Sequence, residues 1–182
     1  MEGDIMAQLV STEFRDQVLE YLQRWASAPP ARETYLNAAR DMADWRARHH
    51  DSGLWRVSPL MVTATIDDGW GHGLEVIEKL AEALGITVHP LGVLQSPETI
   101  IGACKQLHPA LLGVTVLQFD SDDSVAEIVR GVPAMTRLVA GGAAYQYDPD
   151  FAVRTGTHVV IKNGASFLEY LVANAASFEM AV

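Results

Sequence analysis

The 182-residue sequence predicts an α/β protein in which a helical hairpin precedes a parallel sheet carrying helices on both faces. Three observations predict it. In the first quarter, apolar residues recur at three- and four-residue steps, the period of one helical face. After Gly53, short apolar runs of strand length alternate with amphipathic segments, the pattern of repeated strand–helix units. Apolar residues make up 49% of the chain, enough at this length to bury a core.

The elements follow in order. Leu9, Val10, Phe14, Val18, Leu19, Leu22 and Trp25 form the stripe of a first helix over about 5–25. Pro29 and Pro30 end it, because proline lacks the N–H donor and restricts the residue before it. A second helix is expected over 32–50, with Tyr35, Leu36, Ala39, Met42, Ala43 and Ala47 on one side and Asp51-Ser52-Gly53 as its stop. Residues 1–55 are therefore read as a hairpin and 56–182 as the sheet domain. Strands are expected at 60–66, 87–91, 111–117, 137–140 and 158–161, and helices at 73–84, 96–107, 122–129, 145–153 and 165–176. Ser96, followed by Pro97 and Glu98, has the form of a helix N-cap, as does Ser121 or Asp122. This alternation predicts a flavodoxin-like, doubly wound, five-stranded parallel sheet ordered 2-1-3-4-5. Such sheets bind ligands beyond the carboxyl ends of their strands, where strand order reverses, which directs attention to 66–73, 115–123 and 140–145.

Composition excludes several functions. With 13 Lys and Arg against 23 Asp and Glu, the net charge of −10 repels nucleic acid and anionic lipid surfaces. The one cysteine, Cys104, supports neither a disulfide framework nor a CxxC site. No run reaches the roughly 18 apolar residues of a membrane span, and the first residues lack a signal peptide's basic and apolar regions, so a cytoplasmic setting is expected. Catalytic motifs are also missing: there is no G-x-S-x-G, no phosphate-binding Walker loop and no G-x-G-x-x-G, and His89, His108 and His158 fall in separate segments. Asp120, Asp122 and Asp123 read as a solvated helix start. Asp67-Asp68 with Lys162 suggests a phosphoacceptor pocket, but the third strand ends in Val114-Thr115-Val116-Leu117 where that chemistry needs an aspartate nucleophile.

The loop after the first strand reads Asp68-Gly69-Trp70-Gly71-His72-Gly73, dense in glycines that permit close backbone approach to a ligand. Taken alone, these residues also suit a tight turn with Asp68 as the cap of the next helix. Thr115-Val116-Leu117 follows the third strand, and Gly141-Gly142 follows the fourth. In spacing and order these three features resemble the D-x-H-x-x-G, Ser-x-Leu and Gly-Gly motifs of cobalamin-binding domains in corrinoid proteins, the corrinoid subunits of methyltransferases among them, over about residues 60–172.

The resemblance implies a cobalamin or related corrinoid on the carboxyl edge of the sheet. Its nucleotide tail would enter between the first strand and the loops after the third and fourth, Gly141 and Gly142 would leave room for it, and the Thr115 hydroxyl would stand in for the family's serine. The implied cofactor-binding set is Asp68, Gly69, Trp70, Gly71, His72, Gly73, Thr115, Leu117, Gly141 and Gly142. The chain departs from the pattern at Trp70, which occupies the position of the cobalt-ligating histidine; an indole has no lone pair for a metal, which leaves His72 as the one candidate metal ligand in the loop. Two functions follow from different classes. One is a corrinoid module acting as a methyl carrier or sensor beside a methyltransferase or regulatory partner, and not an enzyme by itself. The other is a degenerate member without corrinoid that acts through a protein partner or another ligand such as haem. The hairpin has two helices where methyl-carrying corrinoid proteins have about four, so its apolar face is expected either to pack on the sheet domain or, by preference, to pair with a second copy in a homodimer. Trp25, Trp45 and Trp55 are expected in the core or at that interface.

Overall fold

The computed structural model describes residues 12–69 and 72–179. Five strands, β1 (Leu60–Thr65), β2 (Thr87–Pro90), β3 (Leu111–Thr115), β4 (Arg137–Gly141) and β5 (Val160–Ile161), form one parallel sheet in the order 2-1-3-4-5, as predicted. The helices are α1 (Thr12–Trp25), α2 (Arg32–His49), α3 (His72–Leu84), α4 (Pro97–Leu107), α5 (Asp122–Gly131), α6 (Ala143–Tyr147), α7 (Phe151–Thr155) and α8 (Gly164–Glu179). Ser96 caps α4 as expected, its Oγ accepting the Thr99 N–H at 3.3 Å. Ser121 holds the N-cap position of α5 without a side-chain bond, and Asp122 is an ion-pair partner of Arg154 at 2.6 Å, not merely a solvated acid.

The pleat divides the core in two. Met61, Leu111 and Val139 face α3 and α8, whereas Val62, Ala64, Leu112 and Val114 face α4 and α5. The register aligns Thr65 with Thr115 and Thr115 with Gly141, so the carboxyl ends of β1, β3 and β4 stand level. That level edge positions the candidate site.

β3 stops at Thr115, two residues before the expected end at Leu117, and two other elements differ from expectation. The helix expected over 145–153 is two short helices, α6 and α7, because Pro149 cannot donate to the preceding turn; Asp148 accepts the Asp150 N–H at 3.1 Å and an Arg154 guanidinium bond at 2.6 Å. The last strand spans two residues where four were expected, and β4 reaches it through only two register pairs, Ala140 with Val160 and Gly141 with Ile161.

The hairpin packs on its own sheet domain. Phe14 and Val18 of α1 and Tyr35, Ala39 and Met42 of α2 share one core with Leu80 and Leu84 of α3 and Phe167, Leu171 and Phe178 of α8. This is the first of the two packings the sequence allowed, with α1 and α2 covered by α3 and α8 of the same chain. Leu9 and Val10, part of the expected stripe, lie outside the described residues. Trp25 and Trp55 are buried, as expected, and the Trp55 indole donates to the Ala175 carbonyl at 2.8 Å. Trp45 is half-buried and stacks on His49 with ring centres 4.0 Å apart. Arg46 joins α2 to α3, its guanidinium donating to the carbonyls of Glu82 at 2.9 Å, Ala83 at 3.1 Å, Ser52 at 2.8 Å and Asp51 at 3.3 Å.

Candidate functional site

The loop after β1 is tied to the loop after β3 by a carboxylate. Asp67 is 4% exposed; its Oδ2 accepts the N–H of Leu117 at 2.6 Å and of Gln118 at 3.2 Å, and its Oδ1 accepts the N–H of Gly69 at 3.3 Å. Sequence reasoning singled out its neighbour Asp68, which is exposed and accepts a bond from Gln118 Nε2 at 3.3 Å. The signal for Asp67 was present: Thr63, Thr65 and Asp67 continue the strand's alternation, which turns the first of the two acids inward. A Cβ on Gly69 would fall 1.8 Å from Leu117 Cδ1, so the two loops touch, and a larger residue there would require the Leu117 side chain to move.

Beside this junction a cavity of about 410 Å³ opens between α3, α8 and the carboxyl halves of β3 and β4. This lies within the ordinary range of small-molecule sites. Leu74, Val76 and Ile77 line it from α3, Phe167 from α8, and Gly113, Thr115, Val139 and Gly141 from the sheet. Ile161, Lys162, Asn163 and Gly164 close one side, and Arg32 and Tyr35 bring the first turn of α2 to another. Burial pushes the Tyr35 phenol above its ordinary range, so it stays neutral; its oxygen accepts the Ala165 N–H at 3.3 Å.

Of the residues expected from sequence, Gly73, Thr115, Leu117, Gly141 and Gly142 line this cavity together. Asp68 and Gly69 stand outside it, in the adjoining loop. Trp70 and Gly71 lie outside the described residues, as does the side chain of His72, whose backbone begins α3. Gly141, which ends β4, and Gly142, which follows it, also have a packing role. A Cβ on Gly142, where φ is +115°, would lie 2.3 Å from the Val116 carbonyl oxygen, and one on Gly141 would lie 2.6 Å from that of Ile161. Their missing side chains let strands and loops approach, while their backbone lines the cavity. Gly113, which sequence reasoning missed, does face the α3 side: a Cβ there would meet Met61 Cε at 2.6 Å. A glycine inside a central strand was the available signal. Gln118 and Phe119, bulky enough to fill the space, point elsewhere; Phe119 is 53% exposed.

Among the described residues no three His, Cys, Asp or Glu side chains gather as a metal site. Cys104 is buried on the α4 face, and burial pushes its thiol up to about 11, so it offers neither a nucleophile nor a ready thiolate ligand. What the arrangement offers is a largely apolar slot with two hydroxyls, Tyr35 and Thr115, the latter next to a level strand edge.

No family model matches the chain, and no curated protein matches it. Solved structures do. A cobalamin-binding protein from Desulfitobacterium hafniense is similar with a TM-score of 0.70 and 17% identity, over 91% of this chain and 85% of that one. The methanol:cobalamin methyltransferase complex of Methanosarcina barkeri gives 0.55 at 17% identity over 80% of this chain, and the monomethylamine corrinoid protein of Methanosarcina barkeri gives 0.54 at 16% over 72%. The matches span 59% and 62% of those two chains. At such identities the likeness establishes the fold: helices followed by the doubly wound sheet that these corrinoid proteins also have.

Proposed function

We propose that this chain binds cobalamin or a related corrinoid, with the nucleotide tail in the cavity between α3, α8 and the sheet, and serves as a methyl carrier or sensor for a methyltransferase or regulatory partner. One observation carries the reading. Five residues of the motif pattern, Gly73, Thr115, Leu117, Gly141 and Gly142, meet around a single cavity of about 410 Å³ at the carboxyl edge of the sheet. The residues fit such a tail: Leu74, Ile77, Val139 and Phe167 offer an apolar slot for a flat base, and Thr115 offers a hydroxyl able to donate to a ring nitrogen. When bound, the corrinoid supplies a cobalt centre that carries a methyl group. The protein's own residues position the ligand and exclude water, and Asp67 holds the two loops over which the ring would lie. With tryptophan at position 70, retention depends chiefly on tail and shape, and His72 is the loop's candidate ligand to the metal.

The test is a titration of the purified protein with hydroxocobalamin and methylcobalamin, read by absorbance after desalting and by calorimetry. Stoichiometric retained corrinoid is expected. Replacing Ile77 by Trp, on the half-buried wall of α3, should abolish retention with the circular dichroism unchanged, and Thr115→Val should weaken binding about fivefold, the worth of one neutral hydrogen bond near 1 kcal/mol. No retained corrinoid would overturn the reading and leave a fold acting through a protein partner or another ligand such as haem.

A further inference from the structure

We infer that Arg32 and Lys162 form an anion-recognising rim on the cavity, so that the ligand it selects carries a phosphate on an apolar body, and the N-terminal hairpin is part of the binding site through Arg32. The inference rests on the proposed reading and specifies which part of the ligand the rim contacts.

The charge pattern carries it. Among the described residues lining the cavity, Arg32 and Lys162 are the only ionised side chains, and both are cations; no acid lines it. The chain holds 23 acidic residues against 13 Lys and Arg, so a wall with two cations and no acid runs against the composition. Arg32 opens α2 and pairs with Glu75, one turn into α3, but it stays about half exposed and its guanidinium has donors to spare. Lys162 follows β5 directly, is exposed, and makes no ion pair among the described residues. Two neutral acceptors nearby are engaged, Asn163 Oδ1 by the Ser166 N–H at 2.9 Å and the Tyr35 oxygen by that of Ala165 at 3.3 Å, and the Thr115 hydroxyl carries no charge to set against an anion. The rim thus holds one cation unpaired among the described residues, Lys162, and one, Arg32, that keeps free donors beside its partner Glu75, at the edge of a largely apolar slot where an anion gains more than it would in open water.

For a corrinoid, the group of matching chemistry is the phosphodiester that joins the ring's side chain to the nucleotide. The full-length chain and an Arg32→Gln/Lys162→Gln double variant, both checked for an unchanged fold by circular dichroism, are titrated with dimethylbenzimidazole ribonucleoside, its monophosphate, hydroxocobalamin and cobinamide, which lacks the tail. The monophosphate should bind about tenfold more tightly than the nucleoside at low salt, with the preference lost in the double variant and reduced by added salt. Hydroxocobalamin should weaken in the double variant while cobinamide does not change. Equal affinity for nucleoside and monophosphate, or an indifferent double variant, overturns the rim while cobalamin binding stands. A phosphate preference without corrinoid binding keeps the rim and removes the corrinoid. Binding of none of the four overturns both.

Discussion

Two adjacent aspartates show how the site depends on the direction of a single side chain. Asp67 and Asp68 are chemically identical, yet the first accepts three backbone N–H groups in a nearly buried position and the second lies in solvent. Asp67→Ala would strand the Leu117 and Gln118 donors, at a cost of about 2–3 kcal/mol, whereas Asp68→Ala should stay within about 0.5 kcal/mol. Thermal unfolding checks this: Asp67→Ala is expected to lower Tm by roughly 5–10 °C, and equal shifts for both variants would contradict the assignment. Motif spacing alone led to Asp68, because spacing counts residues and takes no account of which way the pleat turns them. The same limit applies to Gly141 and Gly142, legible as a pair near a ligand but not as residues whose absent Cβ atoms avoid the backbones of Ile161 and Val116. Gly142 is consequently a folding requirement, and a bulkier residue there cannot report on binding alone.

Among the elements, the junction between hairpin and sheet is held by polar as well as apolar contacts. Arg46 joins the end of α2, the linker after it and the last turn of α3, where it bonds the Ala83 carbonyl and adds a second donor to that of Glu82, which also accepts the Gly85 N–H. Arg46→Ala is expected to cost about 2 kcal/mol in denaturant unfolding, with Lys restoring only part of it, because an ammonium cannot span the same carbonyls as a planar fork. Full recovery by Lys would reduce the contact to simple charge. The apolar stripes of α1 and α2 were legible from their period, as was the end of each helix, but not what they pack on: periodicity states that a face is buried and leaves its partner open. The split of α6 from α7 was legible in principle, since Pro149 sits inside the expected helix.

For the whole molecule, strand order followed from the alternation of elements, because parallel crossovers leave few ways to arrange five strands. The cavity was less accessible to sequence. Its walls come from α2, α3, α8 and three strands, so that Arg32, Gly113, Val139 and Lys162 are neighbours only in the folded chain. The three central strands are each bonded on both sides, while β5 is an edge of two residues held by two register pairs. Amide hydrogen exchange should therefore be about tenfold or more faster at Val160 and Ile161 than at Leu112 and Gly113, and equal protection would show the edge to be as firm as the centre. The short strand has a mechanical meaning for the cavity, since Ile161, Lys162 and Gly164 form one of its sides. The slot thus has a stiff wall and a compliant one: outward movement of β5 would make room for a wider occupant, while the β3 and β4 wall keeps its shape. Tolerance to ligand size is thereby directional, generous toward the sheet edge and strict toward its centre.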